Sequence, residues 1–126
     1  MNIQAAKHIN VDENNRIEYL FVNFDYFDGN DLIAKFFEKE YQMISDEKVD
    51  GMFYSIIKLH KNLDEYDLIW HEDVGNYIFS VRQDKDTILV LEQRLKVIVD
   101  KLNEINRYRE EPEQKNQGTG ILEEIF

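Results

Sequence analysis

Alternating apolar and polar residues near the start of the chain predict a β-hairpin. Residues 2–11 form its first strand, residues 12–15 its turn and residues 16–27 its second strand. The second strand, IEYLFVNFDYF, has apolar side chains at both parities, which is typical of a strand covered on both sides. We therefore expect the second face of the sheet to be partly covered, by this chain or by a partner.

Apolar residues that recur at helical spacing predict two helices. The first covers residues 31–44, and Glu40 falls near the middle of its apolar arc. The second covers residues 86–109, about six turns. Val90 and Val97 lie away from its main apolar stripe, where a second chain can contact them. The main stripe consists of Ile88, Leu91, Leu95, Ile98, Leu102 and Ile105.

Three short segments between the helices predict an antiparallel meander. They cover residues 52–59, 66–71 and 76–82, and alternation in the last two supports strands. The first of the three also fits a helix, but we favour a strand. Residues 45–51 are polar and end in glycine, which predicts a loop.

The predicted order of elements is ββ-α-βββ-α. It favours an α+β fold in which two helices pack on one face of a mostly antiparallel sheet, a two-layer sandwich. Residues 1–110 are predicted to form a single α+β domain. Residues 111–126 are interpreted as a linker that ends in a short apolar–acidic tail, ILEEIF. The bulky residues of this tail suggest that it docks on the sheet or on another subunit.

Composition excludes several classes of protein and function. The 126 residues include no cysteine, which removes disulfides and thiolate chemistry, and 26 acidic against 15 basic side chains give a net charge of -11. This charge repels nucleic acid and attracts basic partners. No apolar run is long enough to cross a membrane and no signal-peptide core is present, so a cytoplasmic location is expected. The abundance of Asn, Ile, Lys and Asp is typical of an AT-rich bacterial or phage genome.

Motifs that would indicate an enzyme are missing from the sequence. No nucleophile elbow and no glycine-rich phosphate loop occurs, so we predict neither catalytic residues nor a cofactor. The run His71-Glu72-Asp73 offers metal-binding groups, but its spacing matches no established metal motif. Glu40 is costly to bury on an apolar helix face unless it is paired or neutral. An acid–base or metal-dependent enzyme built around Glu40 and His71 is kept as a third hypothesis.

The first hypothesis is a small acidic protein that binds and occludes a basic protein partner. Immunity proteins that neutralise nuclease toxins are an analogy of type, with no match at the level of residues. Acidic charge is densest in residues 1–50, where 11 acidic and 5 basic side chains give -6. Aromatic anchors rimmed by carboxylates would supply affinity and fast encounter. The predicted partner-binding residues are Tyr19, Phe21, Asp25, Phe27, Asp28, Glu40, Glu72 and Asp73.

The second hypothesis is an assembly protein that forms a homodimer. The long second helix and the apolar–acidic tail would then supply the contacts, because closed symmetric dimers are the commonest oligomers. The predicted oligomer contacts are Val90, Val97, Ile121, Leu122, Ile125 and Phe126.

Overall fold

Two helices lie on one face of a seven-stranded antiparallel sheet in the computed structural model, which describes residues 2–116 and the side chains of residues 2–106. This arrangement confirms the predicted α+β class. The elements are β1 (Gln4–Asn10), β2 (Arg16–Val22), α1 (Gly29–Tyr41), β3 (Ile44–Ser45), β4 (Val49–Asp50), β5 (Tyr54–Lys61), β6 (Asp64–His71), β7 (Gly75–Ser80) and α2 (Lys85–Asn116).

The strand order is β1-β2-β7-β6-β5-β3, and β4 pairs with β5 beside β3. The predicted meander is confirmed as β5-β6-β7, including the strand that also fitted a helix. The hairpin β1-β2 is also present, and its second strand pairs with β7. Residues 11–15 connect its strands: Val11–Glu13 form a single 3-10 turn, and Asn14 and Asn15 follow with φ values of 57° and 61°, a backbone region that asparagine adopts more readily than most residues.

Several predicted boundaries are wrong. β2 ends at Val22 because Asn23 has a φ of 65°, so residues 23–28 leave the sheet. α1 ends at Tyr41 because Gln42 is left-handed and donates its backbone N–H to the carbonyl of Phe37. The predicted loop over residues 45–51 contains β4 and the end of β3, which are too short for alternation to reveal.

The second helix is longer than its apolar stripe predicted. Asp84 caps its start by accepting hydrogen bonds from the N–H and hydroxyl of Thr87, and these bonds lower the pKa of the Asp84 carboxyl. The helix then continues to Asn116, so the predicted domain boundary at residue 110 falls inside it. Residues 111–116 are therefore helical, and the interpretation of residues 111–126 as a linker and tail stays a prediction; residues 117–126 lie outside the described residues.

The core lies between the helices and one face of the sheet. Side chains at alternate positions of each strand face the helices. The predicted apolar stripe of α2 packs on these side chains as far as Leu102. Each fully buried large apolar side chain contributes about 1.5–3 kcal/mol. The sheet supplies chiefly Tyr19, Phe21, Ile57, Leu59, Tyr66, Leu68 and Ile78 to this core.

The opposite face of the sheet carries an apolar band that no described helix covers. Strand register aligns Ala6, Leu20, Tyr77, Ile69 and Ile56 across five strands. Among the described residues, no helix supplies the expected cover for this face. Part of the cover comes from the strands themselves: the guanidinium of Arg16 stacks 3.7 Å from the ring centroid of Phe79.

Arg94 joins α2 to the sheet. Its Nη1 donates to Asp64 Oδ2 at 3.0 Å and to the hydroxyl of Tyr66 at 2.8 Å, while the guanidinium lies 5.0 Å from the ring centroid of Tyr41. Burial raises the pKa of Tyr66 to about 12, against the opposing effect of the Arg94 charge. The folded protein therefore holds the Tyr66 proton more tightly than the unfolded chain does.

Replacement of a buried stripe residue should cost far more stability than replacement of its exposed neighbour. Ile98 is 0% exposed and Val97 is 37% exposed on the same helix. We expect Ile98→Ala to lower the free energy of unfolding by about 2–5 kcal/mol. Val97→Ala, the matched control, should cost less than about 1 kcal/mol. Urea denaturation measures both, and equal losses would contradict this packing.

Alkaline pH should destabilise the protein through Tyr66. Stability is lost as pH rises from the tyrosine pKa of about 10 in the unfolded chain to about 12 in the folded one. Tyr66→Phe should cost about 1 kcal/mol at neutral pH, because it removes the hydrogen bond with Arg94. It should also reduce the alkaline loss relative to the unmodified protein. Urea denaturation across this pH range tests the difference, and parallel losses would contradict it.

Candidate partner-binding surface

The segment of residues 23–28 crosses the end of the sheet and is anchored by side chains of two strands. Asn76, buried in β7, donates from Nδ2 to the carbonyls of Phe24 and Tyr26, both at 3.0 Å. Trp70, in β6, donates from Nε1 to the carbonyl of Asp25 at 3.0 Å. Three successive backbone carbonyls are thus fixed across the sheet end.

Glycine allows this segment to lie close to the strand and the helix. Gly75 has a φ of +89°, and a Cβ added there would lie 2.9 Å from the Cβ of Asp25. A Cβ added at Gly29 would lie 2.6 Å from Nδ2 of Asn76 and 2.8 Å from the ring of Phe24. The close approach that permits the three carbonyl hydrogen bonds depends on both positions.

Aromatic side chains are exposed around the anchored segment. Tyr26 and Phe27 are 48% and 51% exposed, and the edge of the Phe27 ring packs on Trp70 with 4.8 Å between centroids. Phe53 and Tyr54 are also exposed, and the N–H of Glu72 donates to the carbonyl of Phe53 at 2.9 Å. Three chain segments therefore place aromatic rings at one end of the sheet.

Carboxylates surround these rings. Asp25 and Asp28 are exposed on the anchored segment, and Glu72 and Asp73 are exposed in the turn between β6 and β7. Lys48 provides a local positive charge, with its Nζ 3.0 Å from Asp31 Oδ2 and 4.0 Å from Asp28 Oδ1. We call this region the aromatic–acidic surface. It comprises Asp25, Tyr26, Phe27, Asp28, Phe53, Tyr54, Trp70, Glu72 and Asp73.

A cleft of about 350 Å³ opens beside this surface, at the start of α1. Phe24, Tyr26 and Leu32 form its apolar part, and the carboxylates of Asp28 and Asp31 lie at its side. Lys35 also lines the cleft. Rings and carboxylates in one cleft suit the apolar stem and charged head of a lysine or arginine side chain.

Five of the eight predicted partner-binding residues meet here. Asp25, Phe27, Asp28, Glu72 and Asp73 come together although up to 48 positions separate them in the sequence. The turn that carries Glu72 and Asp73 is held by hydrogen bonds to Phe53 and His71.

Tyr19 and Phe21 do not belong to the aromatic–acidic surface, and this part of the prediction is corrected. Each is 3% exposed because its parity of β2 faces the helices. The hydroxyl of Tyr19 donates to Glu92 Oε2 at 2.5 Å, and burial together with this carboxylate raises the tyrosine pKa. Apolar side chains occur at both sets of alternate positions in β2, and the set that contains Tyr19 and Phe21 was wrongly assigned to the surface.

Glu40 also lies elsewhere. It is half-buried in the last turn of α1, whereas Asp28 precedes the first turn of the same helix. The carboxylate is therefore not at the centre of a buried helix face, because the helix ends one residue later at Tyr41.

The predicted oligomer contacts are described only in part. Val90 is half-buried and Val97 is exposed on α2. Ile121, Leu122, Ile125 and Phe126 lie outside the described residues, so the contribution of this segment stays a prediction.

The anchoring residues Asn76 and Trp70 were not predicted from the sequence. Asn76 is a buried amide within a strand, a position where a polar residue requires hydrogen-bond partners. That single asparagine, next to Gly75, was the available signal for a loop that returns to this strand. Nothing in the local pattern indicated that Trp70 would bond the backbone of Asp25, which lies 45 residues earlier.

Other chemical groupings are sparse in the described part of the chain. His60 Nε2 lies 3.0 Å from Asp46 Oδ1 on the exposed rim of β5. No group of three or more His, Asp or Glu side chains among the described residues is arranged to hold a metal ion. Within the same residues, no helix combines the length and the apolar character that a membrane crossing needs.

Comparison with protein-family models, curated proteins and solved structures finds no significant match.

Removal of the Asn76 amide should loosen the aromatic–acidic surface. Asn76→Ala leaves the carbonyls of Phe24 and Tyr26 without their donor, and we expect a loss of about 2–3 kcal/mol in unfolding free energy. Fluorescence of Trp70, the single tryptophan, should shift to longer wavelength as the segment separates from it. Gln93→Ala, on the exposed side of α2, is the control. Unchanged fluorescence and stability would contradict the anchoring role.

Proposed function

We propose that this protein binds a basic protein partner through the aromatic–acidic surface and inhibits it by occlusion. The observation that carries this proposal is the convergence of exposed rings and carboxylates on a backbone segment fixed by Asn76 and Trp70. Aromatic anchors with an acidic rim are the combination that binds a basic surface with both affinity and speed.

The anchored backbone supports the proposal energetically. Association normally costs free energy because loops and side chains at the interface become ordered. Here the segment of residues 23–28 is already held at three carbonyls, and Phe27 already packs on Trp70. Less order has to be imposed on binding, so more of the energy gained by burying the rings appears as affinity.

The chemistry of the cleft supports a basic partner. Its rings and the carboxylates of Asp28 and Asp31 suit a lysine or arginine side chain of the partner. Lys48 already contacts both carboxylates. A lysine or arginine of the partner therefore either displaces Lys48 from these carboxylates or binds them beside it. The net charge of -11 favours the approach of a basic partner.

Occlusion follows from the position of the carboxylates. A basic cleft that binds phosphate groups also binds a fixed set of carboxylates, since both are anions that accept hydrogen bonds from lysine and arginine. In this mechanism Asp25, Glu72 and Asp73 occupy the positions of substrate phosphates. The exposed rings exclude water around them, and the blocked partner cannot bind its substrate.

Charge removal at the surface should slow association with the partner. The partner is first captured from cells of the source organism on the tagged protein at low salt. We then expect the combined variant Asp25→Asn, Glu72→Gln and Asp73→Asn to lower the association rate constant about tenfold at low salt. Rising ionic strength should shrink this difference, because salt screens the charges.

The matched control removes equal charge from α2. Asp86→Asn, Asp100→Asn and Glu104→Gln also change the net charge from -11 to -8, at exposed positions outside the aromatic–acidic surface. Near-normal association of this control, with slow association of the surface variant, supports the proposal. Equal slowing of both variants, or failure to capture a stoichiometric basic protein, would contradict it.

Removal of the exposed ring should instead speed dissociation. Phe27→Ala deletes an aromatic anchor, and we expect the dissociation rate constant to rise at least about tenfold with little dependence on salt. Leu63→Ala, in the exposed turn between β5 and β6, deletes a comparable apolar side chain at the other end of these strands. Surface plasmon resonance with the captured partner measures both, and equal effects would locate the contact elsewhere.

A further inference from the structure

The outer strand β1 presents an open hydrogen-bonding edge. The carbonyl of Asn2 accepts from Nδ2 of Asn23, on the side of β2. The backbone of Ile3 instead faces away, since its N–H donates to Asn103 Oδ1 at 2.8 Å and its carbonyl accepts from Asn103 Nδ2 at 3.0 Å. Strand alternation then directs the backbone groups of Ala5, Lys7 and Ile9 outward. β1 ends the described sheet, so these groups have no strand partner among the described residues.

A cleft of about 330 Å³ lies beside this edge, between β1 and α2. Its walls include the apolar side chains Ala5, Leu95 and Val99. Lys7, Lys96 and Glu92 also line it, and Lys7 Nζ lies 3.9 Å from Glu92 Oε2. An edge strand beside an apolar cleft is the arrangement that binds an added strand, with backbone hydrogen bonds for affinity and side-chain pockets for specificity. Because Glu92 offsets the charge of Lys7, the cleft keeps one excess positive charge, that of Lys96, which favours an occupant with an acidic side chain.

The segment of residues 121–126, ILEEIF, has the chemistry that this cleft requires. An added strand directs alternate side chains towards the cleft. One parity presents Ile, Glu and Ile, and the other presents Leu, Glu and Phe. Either register therefore places one carboxylate between two apolar side chains, which matches a lysine set among apolar walls.

Chain length places this segment on a second copy. α2 passes the start of β1 at Asn103, and Asn116 lies 13 residues further along, about 20 Å away along the helix axis. Five residues from Asn116 to Ile121 span at most about 18 Å, so Ile121 cannot return even to Ile3 of its own chain. The cleft lies further back still, beside Val99. By the same measure residues 124–126 can reach the level of Val99 in their own chain, whereas all six residues of the segment can lie along β1 together only in another molecule.

We propose that two copies of this chain exchange residues 121–126, each copy adding this segment as a strand at the β1 edge of the other. The exchange is reciprocal and closes after two copies, as a two-fold symmetric dimer requires. The one glutamate of the added strand that faces the cleft contacts Lys96. This contact lies apart from the aromatic–acidic surface, so the proposed dimerisation and the proposed partner binding are tested independently.

Size-exclusion chromatography with multi-angle light scattering tests the exchange on the full chain. We expect the unmodified protein to be a dimer and a variant lacking residues 117–126 to be a monomer. Ala5→Pro should also be monomeric, because proline removes an outward N–H without breaking a bond to β2. Circular dichroism checks that both variants keep the native fold. A monomeric unmodified protein, or a dimeric deletion variant, would overturn the proposal.

Charge reversal provides a test that does not depend on tolerance of proline. Lys96→Glu should raise the dimer dissociation constant about fivefold, whereas Lys85→Glu, the same change at the start of α2, should leave it unchanged. Combining Lys96→Glu with Glu123→Lys and Glu124→Lys should restore dimerisation. Equal effects of the two single variants, or no recovery in the combined variant, would overturn the assignment of the contact.

Discussion

The structure depends on one constraint: two helices cover only one face of a seven-stranded sheet. Successive residues of a strand face opposite sides of the sheet, so the face on which the apolar stripe of α2 packs determines which side chains form the core. Tyr19 and Phe21 are buried for this reason, although neighbouring residues of the same strand face outward. The remaining apolar and charged groups emerge at the sheet end, at the edge strand β1 and on the uncovered face. Surfaces for binding are therefore set by what the helices leave exposed.

The sheet end shows how stability and binding are connected. Asn76 is buried and bonds two carbonyls of a segment whose side chains are exposed. The hydrogen bonds that stabilise the fold thus also fix Phe27 and the carboxylates in place, which lowers the cost of ordering them on binding. Arg94 has the corresponding role on the helix side, where it joins α2 to Tyr66 and Asp64. Burial and hydrogen bonding account for both contacts, and at the sheet end the left-handed backbone of Asn23 and Gly75 also contributes.

Periodic patterns predicted the elements, whereas single left-handed residues and long-range contacts accounted for the errors. The stripe of α2, the hairpin and the meander were readable because each repeats over several residues. The ends of β2 and α1 were not, since single left-handed residues, Asn23 and Gln42, set them. Five of eight partner-binding residues converge because charged and aromatic residues cluster in turns that meet at the sheet end. Local spacing does not encode the face of the sheet on which Tyr19 lies or the hydrogen bond from Trp70 to Asp25, because both depend on elements far along the chain.

We propose above all that the anchored segment and its neighbouring turn contact a basic partner. Hydrogen–deuterium exchange of the complex with the captured partner tests it most directly, because it locates the contact on the unmodified chain. We predict slower exchange over residues 24–29, 51–54 and 72–75 on binding, with the uncovered sheet face unchanged. Slower exchange confined to that face or to β1, with these three segments unaffected, would contradict the account.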